Sequence, residues 1–160
     1  MSSAVPNPGT SRSRSIAFSE AKATLSTVVD NAVRGHEPVL IERNRGKESV
    51  LVVSSEDLSE ALREPYSSMF ETEVFIENGI YAVALESFGL QGTGASLEEA
   101  LDDLVEALSG YSARYFRDLE FYRRTPNRSR HYLPLLLFRA ADEHGRRALL
   151  LEPAPALAAV

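Results

Sequence analysis

Apolar side chains recur at helical spacing over residues 19–34, where alanine, leucine and valine occupy one face. This pattern predicts one amphipathic helix, with Ser19 placed to cap its start and Gly35 its end. We expect order to begin at Ile16, in an extended segment that follows an arm of Pro, Gly, Ser and Arg over 1–15. The composition of that arm is typical of a flexible segment.

Two β-branched runs come next, over 38–44 and 47–53, on either side of Arg45-Gly46. They predict a hairpin in which the glycine supplies a positive φ. A short helix with an acidic first turn follows, and we expect it to end at Pro65. The first unit is therefore predicted as strand, helix, hairpin and helix over 16–64.

A second predicted unit begins at Phe70, where two alternating runs flank Asn78-Gly79, a strong hairpin signal. The glycine-spaced segment 88–95 predicts a third, irregular strand. Ser96 and the glutamates behind it match a capping box at a helix start. Leucines and tyrosines at spacings of three and four then predict one long helix over 97–122.

The C-terminal segment has two apolar runs, LPLLLF and ALLLE, around a polar turn at 142–145. They predict a final hairpin, which extends the second unit over 70–152 and leaves a tail at 153–160. Gly110, inside the long helix, allows a bend there. The predicted fold class is α+β, with two sheet-and-helix domains and no internal repeat.

The 160-residue chain is 44% hydrophobic, which is enough for one compact domain or two small ones. It contains no cysteine, so disulfide scaffolds, cysteine-ligated metals and thiol nucleophiles are excluded, and a reducing, cytoplasmic setting fits. The N-terminal residues lack an apolar signal core, and no apolar run is long enough to cross a bilayer. We therefore expect neither secretion nor a membrane partner.

Charge is distributed unevenly along the chain, whose net charge is −6. Residues 1–53 carry seven Lys/Arg against five Asp/Glu, residues 54–122 carry three against fifteen, and residues 123–160 carry seven against three. The middle segment is therefore strongly acidic between two basic segments. Such asymmetry indicates partners of opposite charge for different parts of one molecule.

The run IAFSEAKATLSTVVDNAVRG, followed by PVLIERNRGKESVLVVS, resembles the N-terminal domain of the prevent-host-death (Phd/YefM) antitoxins. The marks of the resemblance are the short strand, the Ser-Glu-Ala-Lys helix start, Leu25-Ser26, Gly35 and the hairpin. The resemblance implies a β-α-β-β-α domain that forms a two-fold dimer. It also implies binding to an operator in the protein's own promoter, and repression of transcription.

Polar groups of this first unit can support DNA binding. On one continuous helix, Ser19, Lys22 and Ser26 would share the face opposite the apolar stripe. Their hydroxyl and ammonium groups can contact phosphates and base edges. Two arginines of the arm and three cations of the hairpin tip complete the predicted DNA-binding set: Arg12, Arg14, Ser19, Lys22, Ser26, Arg43, Arg45 and Lys47. The alternative is that these are ordinary solvated positions.

The run FETEVFIENGIYAVALESFGLQGTGASLEEALDDLVEAL is similar to the HicB antitoxin domain. The residues that carry the similarity follow the second strand: Gly89, Gly94, Ser96, Leu97, Glu98, Glu99 and Ala100. The similarity implies a partial RNase H-like fold, in which a helix packs on a three-stranded antiparallel sheet. HicB proteins usually carry a DNA-binding module after this domain, whereas here the candidate DNA reader precedes it.

Acidic side chains dominate this second unit, and strand alternation directs Glu71, Glu73 and Glu77 away from the core. An acidic surface can cover the basic site of a toxin that acts on RNA. The predicted toxin-binding set joins these acids to those of the following helix: Glu71, Glu73, Glu77, Glu98, Glu99, Asp102 and Asp103. For each of these acids, a role in solubility alone is the alternative.

An active nuclease is a further alternative, because the RNase H-like fold is that of metal-dependent hydrolases. Such enzymes need inward-pointing carboxylates around metal ions, and the acids here alternate outwards. His36, His131 and His144 are dispersed and have no metal-ligand spacing. We therefore predict a non-enzymatic antitoxin without metal or cofactor, which forms a homodimer or higher even oligomer and binds operator DNA and a cognate toxin. A protein-protein adaptor without DNA binding is the second hypothesis.

Overall fold

The computed structural model describes residues 14–151, in which helices and two small sheets alternate along the chain. The chain divides into two compact units between Asp57 and Leu58. Arg12, which was predicted to contact DNA, and the predicted tail lie outside the described residues.

The first unit is built on a three-stranded sheet in the order β1-β2-β3. Its elements are β1 (Arg14–Ala17), α1 (Phe18–Ala23), α2 (Leu25–Val33), β2 (Val39–Arg43) and β3 (Glu48–Val52), and α3 (Ser55–Tyr66) begins in it. Strands β1 and β2 are parallel, β2 and β3 are antiparallel, and Ile41 lies opposite both Ile16 and Val50. The parallel pair is possible because α1 and α2 supply the crossover connection.

The single helix predicted over 19–34 is wrong, because Thr24 separates α1 from α2 with φ −123° and ψ 33°. The Thr24 hydroxyl donates to the Glu20 carbonyl oxygen at 2.8 Å. Such a bond from a threonine to the preceding turn competes with regular helix geometry. The predicted cap at Ser19 is wrong, because Ala17 is the N-cap of α1. At the other end, Arg34 is the C-cap of α2 and Gly35 follows it directly, where a glycine was predicted.

The predicted hairpin between β2 and β3 is confirmed. Asn44, Arg45 and Gly46 all have positive φ values, of 54°, 57° and 77°. The Lys47 amide donates to the Asn44 carbonyl oxygen, so Arg45 and Gly46 are the central residues of the turn. Two consecutive left-handed residues at these positions give a turn whose twist matches that of paired strands. The helix expected to stop at Pro65 instead continues through it to Tyr66.

The second unit is a three-stranded antiparallel sheet, in the order β4-β5-β6, followed by four helices. Its elements are β4 (Glu73–Glu77), β5 (Ile80–Leu85), β6 (Leu90–Gly94), α4 (Leu97–Arg117), α5 (Leu119–Arg124), α6 (Tyr132–Ala140) and α7 (Glu143–Leu151). The Asn78-Gly79 hairpin is confirmed, with φ values of 53° and 76°. The predicted kinship with the RNase H-like fold stays a prediction.

Helix α4 packs closely on the sheet because β6 contains glycine where the helix approaches. A Cβ atom at Gly92 would overlap the Ala100 carbonyl oxygen and the Leu104 amide nitrogen. The predicted cap at Ser96 is confirmed, since its Oγ accepts the Glu99 amide proton at 3.2 Å. The Ser96 side chain therefore defines where α4 starts.

Two predictions about the end of the chain are wrong. The long helix continues without interruption past Gly110 but ends at Arg117, and Asp118, with φ −122° and ψ 49°, separates it from α5. The predicted C-terminal hairpin is the helix pair α6 and α7. A short apolar run cannot distinguish a strand from a buried helix, and the core buries α6 on several sides. The residues taken as a turn instead cap α7, because Asp142 Oδ1 accepts the Gly145 amide proton at 2.7 Å.

Candidate functional site

A shallow pocket of about 450 Å³ in the first unit joins the start of α1 to the tip of the β2–β3 hairpin. Parallel pairing of β1 with β2 is what brings them together, since Ala17 lies opposite Glu42. Of the predicted DNA-binding residues, the pocket lining includes Ser19, Arg43 and Arg45. The structure therefore unites one hydroxyl and two guanidinium groups that are distant in sequence.

The three cations of the hairpin tip differ in their surroundings. Arg43 donates from Nε to Glu48 Oε2 at 2.7 Å, and its guanidinium lies 5.8 Å from the centre of the Phe18 ring. Its charge is therefore partly neutralised and its position fixed. Arg45 and Lys47 are exposed and form no ion pair within the described part of the chain. These two side chains are free to meet an external anion.

The predicted Ser19, Lys22 and Ser26 triplet is exposed, but it does not lie on one helix. Ser19 and Lys22 belong to α1, whereas Ser26 lies beyond the break, on α2. Helical spacing therefore no longer relates Ser26 to the other two. Arg14 is the first residue of β1, where it lies opposite Val39.

Three large apolar side chains of α2 are exposed although they lie on one helix face. Leu25, Val29 and Val33, at i, i+4 and i+8, are 58%, 44% and 54% exposed. Among the described residues the adjoining core cluster has three buried members, Ala21, Val28 and Val39, and Ala32 is buried outside that cluster. The sequence shows the spacing of these side chains as part of one apolar stripe, but it does not show that they are exposed.

A side-chain hydrogen bond joins the loop after α2 to the start of α3. His36 Nδ1 lies 3.0 Å from both carboxylate oxygens of Asp57. Hydrogen bonding to Ser54, and then to His36, lowers the pKa of Asp57. Ser54 also accepts the Asp57 amide proton at 3.1 Å, as an N-cap does. We assign the contact between His36 and Asp57 a structural role in the first unit.

The four predicted toxin-binding acids of α4 are exposed, and all have partners within the second unit. Asp102 pairs with Arg147 of α7 at 2.9 Å, and Glu98 lies 3.8 Å from the same guanidinium. Glu99 accepts the Ala95 amide proton at 2.8 Å, and Asp103 accepts that of Thr93 at 2.9 Å. These carboxylates help to position α4 on β6 and α7.

The other three predicted acids lie at β4, and all are exposed. Val74 lies opposite Val83, which is buried beneath α4, so Glu73, Phe75 and Glu77 occupy the opposite sheet face. For Glu73 and Glu77 this agrees with the prediction that strand alternation directs the acids away from the core, whereas Glu71 lies two residues before β4. Phe75, which alternation places on the same face, is 52% exposed.

The second unit also buries a polar cluster that the sequence did not reveal. His131, which was placed beside a turn in the prediction, is only 2% exposed, and its Nδ1 lies 2.7 Å from the Tyr111 hydroxyl. Its Nε2 is buried as well. Burial is the main cause that lowers the pKa of His131, and the charges of Arg128 and Arg130 add to it, whereas a hydrogen bond with the Ser87 backbone acts in the opposite direction.

Two other features bear on the class of protein. Within the described range no group of three or more His, Asp or Glu side chains is arranged to hold a metal ion. In the same range, every helix is too short or too polar to span a bilayer.

Comparisons with known proteins give a family for the chain and a solved structure of similar fold. A family model, PHD-like, described as an antitoxin of toxin-antitoxin, RelE/RelB, TA system, matches residues 13–151. The crystal structure of an antitoxin from Syntrophomonas wolfei subsp. wolfei is similar, with a TM-score of 0.63 and 24% identity, over 85% of this chain and 95% of that chain. That likeness shows a shared fold. A comparison with curated protein sequences finds no match.

Proposed function

Because the matched family model spans both units, the chain belongs to the PHD-like antitoxins, and we propose that it represses its own operon as a DNA-binding dimer. The same dimer neutralises a cognate toxin by direct contact. An antitoxin implies such a partner, whereas operator binding, dimerisation and the mode of neutralisation are the proposal. Catalysis has no part in it.

The exposed apolar stripe of α2 is the main observation that supports the proposed dimer. The apolar face of Leu25, Val29 and Val33 is left without cover in the described structure, and the core beside it is small. A unit of this size buries too little apolar surface by itself, and a second copy can supply the rest. A two-fold axis through this face duplicates every polar group of the unit.

Operator contact is proposed for the pocket and the hairpin tip. Arg45 and Lys47 provide exposed cations for phosphates, and Ser19 provides a hydroxyl beside Arg45 in the same pocket. Lys22 and Ser26 stay in the proposed set as exposed groups of α1 and α2. Two copies of this surface would contact the two halves of a palindromic site.

Fluorescence anisotropy with a labelled fragment of the gene's own promoter tests this surface. In the double variant Arg45→Ala/Lys47→Ala, a dimer loses four cations, so the slope of log affinity against log salt should fall by roughly 3 to 4. The matched control is Arg117→Ala/Arg124→Ala, which removes two exposed arginines of the second unit. Equal slopes for the two variants, or no binding by wild type, would contradict the DNA role.

The second candidate function is an antitoxin-derived adaptor without DNA binding. It is favoured by the Arg43–Glu48 contact, because that ion pair neutralises one of the three cations at the hairpin tip. An adaptor should still dimerise and capture the toxin while leaving promoter DNA unbound. The anisotropy experiment therefore separates the two candidates.

Toxin capture is tested by co-expression with the product of the neighbouring reading frame. Wild type should co-purify with that product and relieve its growth inhibition. A variant with Glu71, Glu73 and Glu77 all changed to Lys should capture less, because the acidic surface then repels a basic partner. Undiminished capture by this variant would remove the electrostatic part of the proposal.

A further inference from the structure

Strand β4 is an edge of the second sheet and is unusually open for an apolar strand. The sheet order is β4-β5-β6, so among the described residues β4 pairs on one side only. All five of its residues are exposed, including Val74, Phe75 and Ile76. Soluble proteins normally protect such edges, because unpaired backbone groups beside apolar side chains recruit another strand.

The register of the sheet defines what an added strand would meet. Glu73, Phe75 and Glu77 lie on the face opposite α4, with Ala82 and Ala84 of β5 beside them. Val74 and Ile76 lie on the other face, as partners of Val83 and Tyr81. The open edge therefore presents acid, apolar and acid on one face and two β-branched side chains on the other.

A second copy of this chain is a poor occupant of the edge. The sequence of β4 is symmetric in charge about Phe75, so an antiparallel pair centred there places Glu73 of one copy opposite Glu77 of the other. Two such pairs of glutamates form between the two strands, both on the same face of the sheet. Like charges directly opposite each other destabilise strand pairing. The two glutamates therefore act against self-association at the same place where the apolar residues favour strand addition.

We propose that the cognate toxin is recognised by strand addition to β4, through an extended segment with basic residues at positions i and i+4 and apolar residues between them. The inference rests on the proposed toxin-binding function and deepens it. In such a pair the cations lie opposite Glu73 and Glu77, and an apolar side chain lies opposite Phe75. Backbone hydrogen bonds supply the alignment, and side-chain pockets on alternate positions supply the selection. The acids of α4 then position the helix rather than contact the toxin.

The first test uses the full chain, labelled with ¹⁵N, and a synthetic peptide with the central sequence Lys-Val-Val-Val-Lys. Amide signals of β4 should shift, and its outward-facing amides should exchange more slowly with solvent. The variant Glu73→Lys/Glu77→Lys should bind this peptide at least about tenfold more weakly, because two attractive pairs become repulsive. That variant should instead bind the charge-reversed peptide Glu-Val-Val-Val-Glu.

Two controls make the result specific. The variant Glu64→Lys/Glu106→Lys changes two exposed acids of helices α3 and α4 and should bind the basic peptide like wild type. A peptide of the same charge, with alternate backbone nitrogens methylated on the pairing edge, should lose its binding, because it cannot form the ladder of hydrogen bonds. Shifts outside the sheet, equal loss in both variants, or binding by the methylated peptide would overturn strand addition.

Toxin capture separates failure of this inference from failure of the proposed function. If wild type and Glu73→Lys/Glu77→Lys capture the neighbouring gene's product equally well, the antitoxin role stands and the β4 surface is wrong. If wild type captures nothing, the proposed toxin-binding function fails, and the inference with it. Concentration-dependent self-association through β4 would also overturn the inference, because the edge would then belong to a second copy.

Discussion

The two units bury their apolar surface to different extents. In the described range the core of the second unit has sixteen buried residues, and the core of the first has three. The second unit leaves a strand edge open, at β4, whereas the first leaves a whole helix stripe open, on α2. We therefore expect the first unit to need a second copy for its stability and the second unit to be stable by itself.

This difference assigns different partners to the two open surfaces. An uncharged helix stripe of Leu25, Val29 and Val33 suits a symmetric partner, because nothing on it repels its own copy. The β4 edge carries a glutamate at each end, which suits a partner of opposite charge. An apolar surface without charge can therefore pair with its own copy, whereas one flanked by like charges favours a different protein of opposite charge.

The largest expected effect concerns the core of the second unit. Leu104 is completely buried where α4 faces the sheet, so Leu104→Ala should lower the free energy of unfolding by about 2–5 kcal/mol. Leu97→Ala, at an exposed position of the same helix, should cost less than about 1 kcal/mol. Denaturant unfolding measures both. Equal costs would show that this core is not the source of the unit's stability.

A smaller effect is expected where β6 meets α4. Gly92→Ala should destabilise the second unit by about 1–3 kcal/mol, since the added methyl group overlaps the backbone of Ala100 and Leu104. Gly110→Ala is the matched control, because a Cβ there meets only the flexible Arg114 side chain, at 3.4 Å. That control should be stabilising by about 0.5–1 kcal/mol. Thermal unfolding with opposite signs for the two variants confirms the close packing, and the same sign for both contradicts it.

The dimer can be broken at the open stripe of the first unit. Val29→Asp should weaken dimerisation at least tenfold, or about 1.4 kcal/mol, because it brings a charge into an apolar interface. Thr27→Asp, at an exposed position outside the stripe, should leave dimerisation unchanged. Sedimentation over a concentration series measures the monomer–dimer equilibrium. If Val29→Asp associates like wild type, the stripe is not the interface.

The weakest expected effect is a pH dependence in the second unit. Since burial lowers the pKa of His131 below its value of 6.5 in the unfolded chain, the unfolded state binds more protons as the pH falls below 6.5. Stability should therefore be complete above that pH and decline below it, by at most about 1.4 kcal/mol per pH unit. The charges of Arg128 and Arg130, which lie beside the ring, act in the same direction as burial.

The matching variant is His131→Phe, which keeps a ring in the site and cannot take up a proton. Unfolding midpoints between pH 7.5 and 5.5 should fall for wild type and stay more nearly level for the variant. A parallel fall in the two proteins would assign the pH dependence to other groups. Because the variant also removes the contact with the Tyr111 hydroxyl, the comparison is made between slopes rather than between absolute stabilities.

Local features were predictable wherever a few neighbouring residues define the backbone. Asn78-Gly79 and Gly46 specify their turns because glycine and asparagine adopt left-handed conformations at low cost, and Ser96 specifies a helix start through its own hydroxyl. The C-terminal run around Leu135 was misinterpreted for the opposite reason. Its leucines are compatible with a strand or a helix, and only burial on several sides selects the helix.

The candidate sites were predictable in composition but not in arrangement. The charge of each predicted residue follows from the sequence, whereas the engagement of Arg43 by Glu48, and of Asp102 by Arg147, depends on which elements meet. The Ser19, Lys22 and Ser26 face also assumed an unbroken helix, which the Thr24 hydroxyl interrupts. Spacing defines a common face only as far as the backbone stays regular.

The sequence alone determined the antitoxin class, the turns, the helix cap and the concentration of acids in the middle of the chain, because each depends on residues close together along it. The tertiary structure decided which apolar residues are covered and which carboxylates are already engaged, because burial and ion pairing depend on elements that are distant in sequence. That is why the α2 stripe and the β4 edge, the two surfaces that we assign to partners, became recognisable only after the chain was folded.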